Sequence, residues 1–301
     1  MGNRDSDARG RELGGELREV RLAKNLKMLD IAKATGWSES KVSRLEAGMR
    51  GTTELDVAVF LTVCGVKQGE FDRIIELAKK TSDSYWLRPH EQELQEELRS
   101  LIVQETTAMA VISYEPHLVP GLLQTERYLR TLFHQDSTIP EDAIERRVQA
   151  RLTRQGLLRR QNPPHCTFFI HEHALRLSVD HPTVMNDQLL HLVFASSRPQ
   201  CTIRVVPAST KFFGSVGCAF RLMTYAGHPP VVYVPTETLG LFLENREHIA
   251  RYRELLGKLD EAAFGVGESR QWLATLASEY DRAETYPDER ADLAEKQLQR
   301  R

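Results

Sequence analysis

Four residues between positions 32 and 45 constrain the fold more than any other feature of the chain. Ala32, Gly36, Val42 and Leu45 follow the spacing A-x3-G-x5-V-x2-L. Two helices that cross steeply need a small residue at their contact, a glycine at a tight turn, and apolar anchors beneath the second helix. The spacing supplies all three. It therefore predicts a helix-turn-helix, whose second helix protrudes far enough to enter the major groove of DNA.

Local signals around this spacing predict where the second helix begins and ends. Ser38 is a natural N-cap for it, and Gly48 stands where a left-handed C-terminal cap is expected. Apolar residues recur at helical spacing in the segments before and after it. Residues 10–82 are therefore predicted to form an all-α domain of five helices.

The distribution of charge favours a local contact with nucleic acid. The whole chain has 301 residues and a formal net charge of −2, which argues against a uniformly basic nucleic-acid coat. Residues 9–50 carry ten Lys and Arg against six Asp and Glu, a local charge of +4. Charges alone are also compatible with ordinary solvated helix faces, so the helix spacing carries more of the prediction.

The N-terminal text LGGELREVRLAKNLKMLDIAKATGWSESKVSRLEAGMRG resembles the XRE-type (lambda-repressor-like) helix-turn-helix family. That resemblance implies a supporting helix at 28–35 and a recognition helix at 38–47. It assigns base edges to Glu39, Ser40, Ser43 and Arg44, and phosphates to Lys41 and Arg50. It also implies a structural role for Glu46, in addition to the structural roles that the spacing gives to Ala32, Gly36, Val42 and Leu45.

Two acidic residues of this helix are expected to do different things. The resemblance implies that Glu46 forms a structural ion pair with Arg18 or Arg21. Glu39 lies in the first turn, where a carboxylate is favourable to the helix dipole. In the major groove it can accept a hydrogen bond from cytosine N4. We therefore interpret Glu39 as a specificity residue that costs affinity.

The region after residue 90 has a different pattern of predicted secondary structure. Candidate strands and helices are interspersed there, and three candidate strands lie close together between 201 and 234. This pattern predicts an α+β regulatory or dimerisation domain over 90–282, with a small, partly antiparallel sheet. Residues 1–9 and 284–301 are predicted to be flexible tails.

The resemblance extends into this second region. Four segments are similar to the C-terminal domain of uncharacterised function in actinobacterial WhiJ-like regulators. These segments are LVPGLLQTERYLR, RVQARLTRQGLL, FIHEHALR and ESRQWLATLA. The resemblance implies transcriptional control, often in genetic pairing with a small protein that resembles an antitoxin partner.

Candidate chemistry in this region is sparse. His171 and His173 would share a face of a strand, as metal ligands can. No third ligand at a usual spacing is evident, so we interpret them as two semi-exposed histidines and predict no metal. Glu172 alternates with apolar residues and needs a partner, for which Arg204 and Arg221 are candidates. These three residues could line an effector pocket or form structural ion pairs that hold the sheet. No catalytic motif and no cofactor motif is present, so no enzyme is expected.

The predicted function is that of a sequence-specific transcriptional regulator. Its expected partners are an operator in double-stranded DNA, a second copy of the chain, and a small-molecule effector or small partner protein. The scattered cysteines and the lack of a long apolar segment indicate a cytoplasmic, nucleoid-associated protein with no membrane partner. The alternative is an antitoxin-like protein that binds a small partner and autoregulates its operon.

Overall fold

A computed structural model describes residues 8–49, 52–79, 85–89, 96–177, 179–210, 217–236 and 239–285. Within these residues it contains twelve α-helices and seven β-strands. The chain divides into two compact units. The first unit comprises Met1–Glu91, Gln95–Ala108 and Met223–Ala250, and the second unit comprises Gln92–Leu94, Met109–Leu222 and Arg251–Arg301.

Five short helices enclose the apolar core of the N-terminal region. They are α1 (Ala8–Ala23), α2 (Met28–Thr35), α3 (Glu39–Glu46), α4 (Glu54–Cys64) and α5 (Gln68–Ala78). Leu17, Ile31, Val42, Phe60 and Ile74 contribute one side chain from each helix, and each is fully buried. Because every helix loses apolar surface to the same core, their packing is mutually supporting.

The turn between α2 and α3 follows from local chemistry. Gly36 ends α2 with a φ of +71°, a left-handed conformation that glycine adopts without strain. The N–H groups of Gly36 and Trp37 both return to the Ala32 carbonyl oxygen. Ser38 then begins α3, with its side chain accepting a hydrogen bond from the Lys41 N–H. Three residues, Gly36 to Ser38, thus connect the two helices.

The first unit also contains elements from later in the sequence. These are β1 (Tyr85–Pro89), α6 (Glu96–Thr107), β6 (Val231–Pro235) and β7 (Leu239–Leu243). β7 pairs antiparallel with both β1 and β6, with Leu243 opposite Tyr85 on one side and Val232 on the other. The N-terminal helices therefore belong to the same compact unit as segments around residues 100 and 240.

A parallel ladder forms the centre of the second unit. Its strands are β2 (Ala110–Glu115), β3 (His165–His171) and β4 (Cys201–Val206). Cys166 of β3 lies opposite Val111 on one side and Cys201 on the other. The connections are helical: α7 (Glu126–Gln135) and α8 (Glu141–Gln155) follow β2, and α9 (Glu172–Arg176) and α10 (Pro182–Ala195) follow β3. The remaining elements are β5 (Phe220–Thr224), α11 (Arg246–Ala262) and α12 (Val266–Thr285).

The predicted fold class is wrong in its sheet. Six strands, β2 to β7, follow residue 90, and they include both parallel and antiparallel pairs rather than only a small, partly antiparallel sheet. Three of these strands, β2, β3 and β4, pair in parallel. The long helical segments between them can return the chain to the end of the sheet at which the previous strand began. The helix count also exceeds five, since twelve α-helices occur in the described residues.

Candidate nucleic-acid interface

The outer face of α3 is polar and open to solvent. Glu39, Ser40, Ser43 and Arg44 are all exposed. Val42 and Leu45 point the other way into the core and are buried. Residues four apart lie on the same face of a helix, so Glu39 with Ser43 and Ser40 with Arg44 form two adjacent rows. The structure therefore brings the four sequence-predicted base-reading residues onto one surface.

Glycines allow the backbone of α1 to approach the end of α3. A Cβ atom on Gly14 would lie 2.5 Å from the Glu46 carbonyl oxygen and 2.6 Å from the Gly48 nitrogen. A Cβ atom on Gly48, whose φ is +64°, would overlap the Gly10 carbonyl oxygen. These contacts fix the C-terminal end of α3 against α1, since neither helix can shift closer and each packs on the common core.

An ion pair joins the same two helices. Arg21 of α1 donates from Nε to Glu46 Oε1 at 2.5 Å and from Nη2 to Glu46 Oε2 at 2.8 Å, and its Nη1 donates to the Leu26 carbonyl at 2.7 Å. The two side chains are only 7% and 6% exposed. The hydrogen bonds to Glu46 raise the pKa of Arg21 against the opposing effect of burial. Of the two arginines considered from the sequence, Arg21 is the one in contact with Glu46.

Lys41 is engaged within the protein. Its Nζ lies 2.6 Å from Asp56 Oδ1 at the start of α4, and 4.1 Å from the centre of the Trp37 ring. Burial opposes the ionisation of Asp56, but hydrogen bonds from Lys41 and Thr53 outweigh it and lower the pKa of Asp56. The ammonium group thus ties the first turn of α3 to the first turn of α4. Arg50, the other predicted phosphate contact, lies outside the described residues.

The three residues considered for an effector pocket contact different partners. Glu172 pairs with Arg176 at 2.6 Å and accepts a hydrogen bond from the Ala208 N–H at 2.9 Å. Arg204 pairs with Asp260 at 2.8 Å. It also donates to the carbonyl groups of Asp260, Ala263 and Phe264.

Arg221 lies 3.5 Å from Glu115, a carboxyl group whose pKa is raised by burial despite the nearby arginines. Each of the three residues thus belongs to a polar network of its own, and a pocket shared by them remains a sequence prediction.

Glu172 was expected on a strand, but it begins α9. β3 ends at His171, whose Nδ1 accepts a hydrogen bond from the His173 N–H and so caps the short helix. The two histidines therefore do not alternate along one strand face. Burial lowers the pKa of His171, which favours its neutral form. Within the described ranges, no group of three His, Cys, Asp or Glu side chains is arranged to hold a metal ion.

Sequence reasoning missed the role of α1 in placing α3. The paired Gly14–Gly15 inside an otherwise amphipathic helix was the available signal, because glycine in a helix interior costs stability and suggests a close contact. The partner in that contact could not be deduced, since Glu46 and Gly48 are more than thirty positions away.

None of the helices in the described part of the chain is both long enough and apolar enough to cross a lipid bilayer.

Comparison with known families agrees with this geometry. Residues 12–74 match a family described as a helix-turn-helix domain, and residues 98–275 match a family described as a domain of unknown function (DUF5753). A comparison with curated proteins finds no match. The first match indicates a DNA-binding regulator with double-stranded DNA as its partner. Because the second match covers more than half of the chain, the protein belongs to the DUF5753 family, with an XRE-like helix-turn-helix domain at its N-terminus.

Proposed function

We propose that this protein is a sequence-specific transcriptional regulator that inserts α3 into the major groove of its operator. One observation carries the proposal: the exposed polar face of α3, formed by Glu39, Ser40, Ser43 and Arg44, lies on a helix whose opposite face is buried. An isolated eight-residue helix would be unstable in water. Here the core, the glycine contact and the buried ion pair hold it in one orientation.

Each side chain of this face has a chemistry suited to a base edge. Arg44 can donate two hydrogen bonds to guanine O6 and N7. Glu39 can accept from cytosine N4, while Ser40 and Ser43 can donate or accept. Unlike Arg44, the Glu39 carboxylate repels the phosphates. We therefore assign it a role in discrimination rather than in affinity.

Phosphate contacts would fix the orientation of α3 in the groove. Lys41 can serve in this way if a phosphate oxygen replaces Asp56 as its partner when DNA binds. Its half-buried position at the first turn of α3 places it at the border of the base-reading face. We keep Arg50 as a second phosphate contact on the ground of the family resemblance.

We propose that residues 10–82 read the DNA, and that residues 90–282 support dimerisation and the sensing of a ligand or partner. A single recognition helix gives few base contacts, so regulators of this kind bind two half-sites about 34 Å apart, one helical turn of DNA. A regulatory signal would then act by changing how two recognition helices fit successive major-groove faces.

The proposal can be tested by finding the DNA that the full-length protein prefers. Duplexes would be selected from a random-sequence pool, and the DNA upstream of the gene itself would be footprinted. We expect one enriched motif with two related half-sites and protection in adjacent major grooves. Equal affinity for all duplexes at physiological salt would overturn sequence-specific recognition.

The same footprint, repeated with neighbouring gene products present, addresses the antitoxin-like alternative. That alternative predicts that a small protein co-purifies with the chain and alters the footprint.

A further inference from the structure

A group of polar side chains is buried around the N-terminal half of α1. We call it the α1 cluster, and its members are Ala8, Arg11, Glu12, Ser100, Gln104, Tyr225 and Glu244. Glu12, Ser100 and Gln104 are each at most 3% exposed. Burying polar groups costs free energy unless each finds a hydrogen-bond partner, so this cluster requires a specific arrangement of its members.

Gln104 of α6 connects two separate segments of the chain. Its Nε2 donates to the Ala8 carbonyl oxygen at 3.0 Å, in the first turn of α1. Its Oε1 accepts from the Tyr225 hydroxyl at 2.9 Å. One amide side chain thus uses both of its ends, and rotating it by 180° would break the bond to Ala8, because two carbonyl oxygens would then face each other.

Further contacts hold the same turn of α1. The Ala8 N–H donates to Glu244 Oε1 at 2.7 Å, and Arg11 lies 3.8 Å from the same carboxylate. The Arg11 guanidinium also lies 4.7 Å from the centre of the Tyr225 ring, within the range of a cation–π contact. In addition, the Ser100 hydroxyl donates to Glu12.

The α1 cluster and the end of α3 are held by the same helix. Gly14, which makes the close contact with Glu46 and Gly48, lies one turn after Arg11 in α1. Gly10, between Ala8 and Arg11, provides the carbonyl against which Gly48 packs. A shift or rotation of α1 by a fraction of an ångström would therefore move the C-terminal end of α3, because the contact leaves no room for slippage.

We propose that Gln104 and Tyr225 are positioning residues for DNA binding, acting on α3 through α1. This inference rests on the proposed function of α3. It assigns to residues within the DUF5753 match, which spans 98–275, a direct part in setting the orientation of the recognition helix. A regulatory change in α6 or in the segment around Tyr225 would reach the DNA-binding face by this route.

The test uses full-length variants with small, defined changes. Gln104→Glu keeps the shape and the acceptor for Tyr225, but it places a carboxylate oxygen against the Ala8 carbonyl oxygen. Tyr225→Phe removes only the hydroxyl and keeps the ring beneath Arg11. Thr107→Ala is the matched control on α6, since Thr107 is exposed and bonds only to carbonyls of its own helix.

Two measurements are made on each variant at a temperature well below unfolding. Hydrogen–deuterium exchange reports amide protection in α1 and α3, and titration reports affinity for the duplex selected by the unmodified protein. For Gln104→Glu we expect reduced protection confined to α1 and α3 and about fivefold or more weaker DNA binding. Tyr225→Phe should show the same pattern with a smaller change, and Thr107→Ala should match the unmodified protein.

Lowering the pH supplies a signature that general destabilisation would not produce. Once protonated, the introduced carboxyl group in Gln104→Glu can donate to the Ala8 carbonyl, as the amide did. Protection of α3, expressed relative to the intrinsic exchange rate at each pH, should then recover toward that of the unmodified protein.

Three results would overturn the inference. In the first, folded Gln104→Glu and Tyr225→Phe both keep normal α3 protection and DNA affinity. In the second, protection falls equally in α4 and α5, which would make the effect a general loss of stability. In the third, α3 protection in Gln104→Glu does not recover at low pH. If the unmodified protein selects no duplex, the proposed function fails, while the exchange measurement still decides whether α3 is coupled to Gln104.

Discussion

Alanine substitutions at two adjacent glycines of α1 should change stability in opposite directions. Gly14 faces the end of α3, where an added Cβ would lie 2.5 Å from the Glu46 carbonyl oxygen. Gly15 faces α6, where an added Cβ would lie 3.9 Å from Val103 Cγ1, an ordinary van der Waals distance. The pair is well matched, because both glycines lie inside the same helix and the same atom is added at each.

At each position, the gain in helix propensity and the cost of steric overlap together decide whether alanine raises or lowers the unfolding free energy. Alanine is favoured over glycine in a helix interior by about 1 kcal/mol. At Gly15 nothing opposes this gain, so Gly15→Ala should raise the unfolding free energy by about 0.5–1 kcal/mol. At Gly14 the backbones of α1 and α3 must separate by about 1 Å to restore ordinary contact.

Overpacking of this kind costs about 1–3 kcal/mol. Because the obstructing atoms are backbone rather than flexible side chain, we expect the upper end of that range, and a net loss of about 2 kcal/mol for Gly14→Ala.

Urea denaturation of the full-length variants, followed by circular dichroism, measures the difference. We expect the Gly14→Ala midpoint to fall and the Gly15→Ala midpoint to rise, with similar denaturant sensitivity. Gly14→Ala should also weaken operator binding, because α3 is displaced. Equal stability of the two variants, or a more stable Gly14→Ala, would refute the close contact between α1 and α3.

Three further predictions concern charged residues of the interface. Glu46→Ala leaves the buried Arg21 without its carboxylate and should cost about 3–5 kcal/mol, and an unchanged melting temperature would contradict this. Asp56→Asn removes the carboxylate that a phosphate must displace from Lys41 and should strengthen binding to every duplex, whereas unchanged affinity would restrict Lys41 to a structural role. Since folding lowers the pKa of Asp56, its stabilisation is present above the unfolded pKa and is lost as the pH falls, so the stability deficit of Asp56→Asn should shrink below about pH 4. Glu39→Gln should bind DNA more tightly and less selectively, and weaker binding to every duplex would count against a role in discrimination.

The features that sequence could predict are local ones. Gly36 and Ser38 shape the turn before α3 through their own backbone and side-chain chemistry, and both do so in the structure. Val42 and Leu45 could be assigned to the buried face because three residues correspond to nearly one helical turn. Those signals are complete within a window of about fifteen residues.

The features that escaped prediction depend on distant parts of the chain. Nothing in the amino-acid sequences of β2, β3 or β4 specifies parallel pairing. The pairing places residues such as Val111, Cys166 and Cys201 side by side, although long connections separate them in the chain. Glu172 alternates with apolar residues as a strand residue would, yet the cap formed by His171 converts the next turn into a helix. The strand at Leu239–Leu243 was missed because only its pairing with β1 and β6 distinguishes it from an apolar loop.

The candidate site shows the same division. The exposed row on α3 follows from helix periodicity, but the engagement of Lys41 by Asp56 joins two helices and is visible only in three dimensions. Likewise, the Gln104 bridge joins residues separated by more than ninety positions. The sequence therefore indicates which side chains of α3 are exposed, while the structure identifies the contacts that hold that helix in place.

The most direct test of the central claim measures the specificity of a Ser40→Ala/Ser43→Ala double variant. Its affinity for the selected duplex is compared with its affinity for a scrambled duplex of equal length at the same salt concentration. If α3 reads the major groove, the difference in binding free energy between the two duplexes should shrink by about 1–3 kcal/mol for each good hydrogen bond to a base that the substitutions remove. Affinity for the scrambled duplex should stay unchanged. An unchanged difference in the folded double variant would contradict the assignment of α3 as the recognition helix.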